Sequence, residues 1–250
     1  AFGTLAAWWI DAVDGGKLSM QQTPAFWRQE LQALGCACEA PLDRMARIPL
    51  LGWLLLRGRC AACHAPIGWR YPVIELLTCA LFAGCALRFG ATPIALAAMG
   101  LSATLVALAW IDFETTLLPD VLTQPLVWAG LLVNLFDAFA SVQMAVVGAV
   151  AGYLFLWVIF HVFRLLTGRE GMGQGDFKLL AALGAWFGIE ALPMLLLSAS
   201  LVGVLIGGAL TLTGRARRGQ PLPFGPYLAL AGLVMLLLGG EHGVLQFMST

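Results

Sequence analysis

SVQMAVVGAVAGYLFLWVIFHVF, residues 141–163, contains no Asp, Glu, Lys or Arg. As a helix it reaches about 34 Å, enough to cross a hydrocarbon core of roughly 30 Å. Further apolar runs lie outward from it at 72–89, 92–111, 118–139, 177–188, 191–213 and 222–240. Most are long enough to span a bilayer. The run 177–188 is short, and Gly184 and Gly188 blur its end. The composition agrees: 60% of the 250 residues are hydrophobic and 11% are charged. An ordinary soluble domain carries roughly 25% charged residues. The deficit excludes a disordered chain, a basic nucleic-acid binder and a typical cytosolic enzyme. Lys+Arg and Asp+Glu number 14 each, so the net charge is uninformative and the position of each charge matters.

Residues 1–13 (AFGTLAAWWIDAV) are apolar but too short for a full crossing. They read as the second half of a first membrane helix whose start is missing, with an interfacial helix as the alternative. No basic segment precedes them, so a cleavable signal peptide is not expected. The expected fold is an all-α polytopic membrane protein of about eight transmembrane helices, the first one truncated, with a small cytoplasmic cysteine-containing domain. Residues 1–13 are the remainder of the first helix, 14–71 the cytoplasmic domain, and 72–250 the membrane-embedded domain.

Orientation follows from the basic residues. Lys17, Arg28, Arg44, Arg47, Arg57, Arg59 and Arg70 lie in 14–71. Arg164, Arg169 and Lys178 lie in or beside one later turn, and Arg215, Arg217 and Arg218 in another. Counting spans alternately, every basic residue except Arg88 falls on one side, which the positive-inside rule makes cytoplasmic. In a region under 60 residues a hydrophobic core is small, and a staple helps. Cys36, Cys38, Cys60 and Cys63 offer one. Reduced thiols in cytoplasm favour a metal over disulfides, and four thiolates suit tetrahedral zinc. His64 is an alternative ligand, and four unliganded thiols are the bland reading. Cys79 and Cys85 read as packing residues of an apolar helix.

Asp112, Glu114, Asp120 and Asp176 lie within or at the ends of apolar runs, where an ionised carboxylate is costly. In the alternating topology all four fall near the cytoplasmic boundary. Two carboxylates converging in a low-dielectric site share a proton, so one serves as base and the other as acid. Interfacial ion pairing and an ion-coupled transporter are the alternatives that composition leaves open.

Around Asp176 the chain reads GMGQGDFKLLAALG (171–184), where Gly173 and Gly175 let a substrate strand approach. This string resembles the signature of type IV prepilin peptidases, which are GxGD aspartyl proteases. WIDFETTLLPDVL (110–122) resembles the first catalytic segment of that family. IPLLGWLLLRGRCAAC (48–63) and PIGWRYPVIELLT (66–78) resemble its cytoplasmic domain and the start of the next helix. The resemblance runs from about residue 36 to 240.

The resemblance implies catalytic aspartates at Asp112 and Asp176. Asp112 is preferred to Asp120 by its place in the IDxxxxLLPD string. Glu114, Asp120, Gly173, Gly175 and Lys178 become supporting residues. The implied substrates are type IV prepilins or type II secretion pseudopilins, each with a short basic leader and an apolar helix after the cut. Cleavage would take place at the cytoplasmic face of the bacterial inner membrane, among membrane lipid, without metal or nucleic acid. A second implied activity is methylation of the new N-terminal amine with S-adenosylmethionine, and Gly58 matches a glycine associated with it. Two features depart from the family pattern. Cys36 and Cys38 form CxC in place of CxxC, and GTLAAWWIDAVDGG (3–16) matches the family's first-helix string poorly. Glu75 and His161 read as structural.

Overall fold

The structure, a computed structural model, describes residues 51–59, 64, 69–168, 172–213 and 223–239. The chain forms two compact units, residues 1–80 and 81–250. In the first, helix α1 (Leu51–Leu55) ends in a turn where Gly58 takes φ +67° and its N–H bonds the Trp53 carbonyl at 2.9 Å. A Cβ at Gly58 would sit 2.9 Å from the Trp53 ring, so the turn demands glycine on two counts. Helix α2 (Arg70–Phe89) starts in this unit and runs on into the second. The span expected at 1–13 and the cysteines Cys36, Cys38, Cys60 and Cys63 lie outside the described residues.

The second unit is helical throughout its described residues. After α2 come α3 (Pro93–Thr115), α4 (Asp120–Val133), α5 (Val142–Thr167), α6 (Gln174–Phe187), α7 (Leu192–Leu212) and α8 (Gly225–Leu238). Each apolar run read from residue 72 onward coincides largely with one of these α-helices, and the run 118–139 adds a short 3-10 turn, Asn134–Phe136, after its helix. Local chemistry fixes the starts: the Thr92 hydroxyl accepts from the Ala95 N–H ahead of Pro93, and the Ser141 hydroxyl accepts from the Met144 N–H. Among the described residues, four helical segments are long and apolar enough to cross a membrane: Pro72–Phe89, Pro93–Thr115, Val142–Thr167 and Ile189–Ala209. Asp120–Phe136 and Gly225–Leu238 are apolar but shorter.

Helix α6 forms the core of the unit. Phe177, Leu179, Leu180, Ala182, Leu183 and Ala185 are buried, with α4, α5, α7 and α8 packed around them. A helix apolar on every side belongs in an interior, and a short one can be covered there completely. The closest approach is between α5 and α6. Gly148 faces Gly184, so a Cβ on either would collide with the other's backbone, and Gly152 abuts the Leu180 carbonyl. This small-residue spacing lets membrane helices pack backbone to backbone.

At the far end of α6, Asn134 is fully buried with both ends of its amide used. Nδ2 donates to the Ala185 and Trp186 carbonyls at 2.8 and 2.9 Å, and Oδ1 accepts from the Phe139 and Ala140 N–H groups. The Arg88 guanidinium donates to the Leu237 and Gly239 carbonyls, closing the C-terminus of α8 where the helix dipole favours a cation.

Candidate active site

Asp112 lies in the last turn of α3. The helix stops four residues later at Thr116, whose φ is +55° and whose N–H bonds the Asp112 carbonyl at 2.8 Å. Residues 117–119 lead to Pro119, which caps α4, and Asp120 opens that helix where its dipole welcomes an acid. Asp176 lies in the first turn of α6, with Gly173 at the N-cap, outside the four long spans.

Leu118 is the meeting point. A Cβ built on Gly175 would lie 2.6 Å from the Leu118 Cβ, and one on Gly225 would lie 3.2 Å from the Leu118 Cδ1. The end of α3 and the starts of α6 and α8 therefore converge. Asp112 and Asp176 are 4% and 5% exposed and are the buried ionisable carboxylates among the described residues. The Asp112 Oδ2 has no hydrogen-bond partner among the described residues. Burial, and then the neighbouring Asp112 carboxylate, push the Asp176 carboxyl up to about 7, against a smaller opposing pull from the Gly173 amide. Both causes disfavour two negative charges in this space, which is the condition for a shared proton.

The other expected residues divide into three groups. Lys178 Nζ and Asp120 Oδ1 lie 2.5 Å apart, an ion pair that ties α6 to the start of α4 beside the carboxylates. Gly175 takes up the close approach at Leu118, while Gly173, the N-cap of α6, leaves ordinary contact distance to the Asp176 carboxylate. Glu114 is exposed and accepts from the Trp110 indole N–H at 3.0 Å, on another side of the helix from the buried Asp112. Among the described residues no group of three His, Cys, Asp or Glu can hold a metal ion.

The sequence reading missed Gly225. A Cβ there would fall 2.5 Å from the Asp112 Oδ2, so the glycine backbone itself forms one wall around that carboxylate. The signal was present in Phe224-Gly225-Pro226, a glycine beside a helix-starting proline.

Fold and site combine a helical unit, four of whose segments are long and apolar enough to cross a membrane, with two buried carboxylates, one of which disfavours ionisation of the other. Comparison with known proteins narrows this. Residues 99–208 match the type IV leader peptidase family, and residues 28–89 match the bacterial peptidase A24 N-terminal domain. The chain is 54% identical over 202 residues to a prepilin leader peptidase/N-methyltransferase of Aeromonas hydrophila, covering 81% of this chain and 70% of that protein. It is 54% identical to one of Burkholderia pseudomallei (strain K96243), covering 81% and 65%. To one of Pseudomonas aeruginosa it is 45% identical over 235 residues, covering 94% and 81%. No solved structure matches the chain. The chain belongs to the type IV leader peptidase family.

Proposed function

We propose that this chain cleaves the leader from prepilins with Asp112 and Asp176 and then N-methylates the new N-terminal residue. The observation that carries the cleavage reading is the burial of two carboxylates at one end of the helical unit, inside the segment that matches the family. Asp176, whose carboxyl is held protonated to about pH 7, serves as the acid and Asp112 as the base. Water between them gives a proton to Asp112 while its oxygen attacks the scissile carbonyl carbon. Asp176 gives its proton to the carbonyl oxygen, forming a gem-diol. The C–N bond then breaks as Asp112 gives its proton to the leaving amine and a gem-diol hydroxyl returns one to Asp176, restoring both carboxyl groups. Gly225 holds the Asp112 carboxylate in place, and the Lys178–Asp120 pair holds α6 against the segment that follows Asp112.

The transporter reading is not supported. Its sites usually lie near the bilayer midplane, whereas these acids gather where helices begin and end. The basic residues favour a multi-pass inner-membrane protein with the cysteine domain and the carboxylate pair toward the cytoplasm. S-adenosylmethionine is the proposed methyl donor and Gly58 the residue tied to that activity. Zinc at Cys36, Cys38, Cys60 and Cys63 is the proposed staple of residues 14–71. The substrates are type IV prepilins or type II secretion pseudopilins.

The test uses the full chain in membranes with a prepilin. Asp112→Asn and Asp176→Asn each abolish leader removal while the protein still accumulates. Cleavage retained by both single variants sinks the two-aspartate reading. Mass spectrometry of the product reads methylation separately.

A further inference from the structure

We propose that Leu118 is a positioning residue for cleavage: its side chain, wedged between the start of α6 and the start of α8, holds the Asp112–Asp176 pair in place and seals its flank from water. This role rests on the two-aspartate reading above and deepens it.

Leu117 and Leu118 are identical neighbours in different surroundings. Leu117 is 70% exposed, whereas Leu118 is half-buried and lies against two glycines far along the chain. A Cβ on Gly175 would fall 2.6 Å from the Leu118 Cβ, 3.2 Å from its Cδ1 and 3.4 Å from its Cγ. The Leu118 Cβ is fixed to the backbone and cannot turn aside, so beside Asp176 there is room for glycine alone. On this side the space at Gly175 is filled by Leu118 and is not left for a substrate strand. On the other flank, Leu118 Cδ1 and Asp112 Oδ2 both face Gly225, 3.2 and 2.5 Å from where its Cβ would stand. One side chain thus touches the residue before Asp176 and shares a wall with Asp112.

The backbone aims Leu118 into this gap. Thr116 ends α3 at φ +55°, a left-handed conformation that a β-branched residue rarely takes. Strain of this kind persists where the surroundings over-determine it, and it clusters at functional sites. The Thr116 N–H bonds the Asp112 carbonyl at 2.8 Å, and the Leu117 N–H bonds the Thr115 hydroxyl at 3.3 Å. Pro119 follows at φ −70° and restricts Leu118 to extended backbone. The Asp120–Lys178 ion pair then ties the far end of the segment to α6. The segment is held at both ends and carries one leucine inward.

Leu118→Ala removes the Cγ and Cδ atoms and opens space beside the Asp112 Oδ2, which has no hydrogen-bond partner among the described residues. A vacated space with such a polar group on its wall takes up water. Water weakens both causes that raise the Asp176 carboxyl to about 7, burial and the Asp112 charge, so that carboxyl falls back toward the usual carboxylate range. The charged groups beside Asp176 are Asp112 of α3 and the Lys178–Asp120 pair joining α6 to α4, and the variant keeps all three. From α5 the Tyr153 ring stands against Phe177, and the first turn of α8 has no acid.

The experiment follows prepilin cleavage by the full chain in detergent across the pH range. For Leu118→Ala the pH at which cleavage falls by half is expected to drop by about one unit. The variant is then slower by about twofold at pH 6 and about tenfold at pH 8, with KM unchanged. Leu118→Met, similar in volume, is expected to restore the wild-type profile, and Leu117→Ala to keep the wild-type midpoint. If Leu118→Ala fails to accumulate, Leu118→Val, which keeps the Cβ contact and drops the Cδ atoms, is read in the same way. A loss by the same factor at every pH, as a smaller folded fraction gives, overturns the proposal. So does a midpoint that stays or rises, a Leu118→Met profile that follows alanine's, or an equal shift in Leu117→Ala. Wild-type enzyme that cleaves no prepilin counts instead against the peptidase reading, so the two failures are distinguishable.

Discussion

Gly225→Ala is the sharpest probe of the carboxylate site. The added methyl carbon would lie 2.5 Å from the Asp112 Oδ2, 3.1 Å from its Cγ and 3.2 Å from the Leu118 Cδ1. Ordinary contact begins near 3.4 Å, so the carboxylate must retreat by about 1 Å. The obstructing atoms are the tip of one side chain and a leucine methyl, both able to turn aside. The fold therefore tolerates the change, and the cost falls on alignment. Misplacement of a reacting group by about 1 Å costs on the order of 100-fold in rate, or roughly 2.7 kcal/mol of barrier. We expect kcat for leader removal to fall by about that factor with KM and thermal unfolding nearly unchanged. The assay is a time course of prepilin cleavage by purified enzyme in detergent. Gly208→Ala is the control, since no atom lies within 4 Å of the added carbon and alanine is the better helix former. Combining Gly225→Ala with Asp112→Asn should add no further loss, because both act through the same carboxylate. Folded Gly225→Ala enzyme working at the wild-type rate would refute the placement of Gly225 against Asp112.

Two further predictions concern charge. The Asp176 carboxyl, raised to about 7 by burial and by Asp112, carries the proton that the mechanism needs. Cleavage should therefore fall as pH rises through about 7, approaching tenfold per pH unit beyond it, whereas the stability that the protonated carboxyl retains is lost earlier, as pH rises from about 4 to about 7, with no further loss above that. A rate flat from pH 6 to 9 contradicts a shared proton. The Lys178–Asp120 pair is 30% and 53% exposed, so its reversal in either single variant should cost less than about 1 kcal/mol in unfolding. Asp120→Lys or Lys178→Asp should nonetheless slow cleavage about tenfold by loosening α6 beside Asp176, and the double reversal should restore it. Additive losses in the double variant argue against a positioning role.

The helices were legible because a bilayer leaves a chain few options. Every backbone N–H and C=O in hydrocarbon must pair within its own segment, so an apolar run of sufficient length becomes a helix. Run boundaries were coarser than helix boundaries for a physical reason. Pro119 and Thr92 set helix starts through backbone geometry and capping, which hydropathy does not register. The run at 177–188 looked too short for a span. The structure explains its length differently: α6 is enclosed by other helices and is apolar on every side for that reason.

The site was legible in unequal parts. Asp112 and Asp176 stood out because a buried acid in an apolar stretch needs a reason, and the flanking strings resembled a known family. Both are buried in the fold, and the Asp112 charge is felt at Asp176. Gly225 left no comparable trace. A glycine acts by the absence of a side chain, and that absence has meaning only once a neighbour far along the chain is known. The same holds for Gly148 and Gly184, whose mutual contact spans α5 and α6. Charge announces itself in a sequence through its cost, whereas close approach is a property of pairs. Residues that position a buried carboxylate by yielding space to it are therefore the ones a single sequence hides. Gly225, pressed against Asp112 at the start of the last helix, is such a residue.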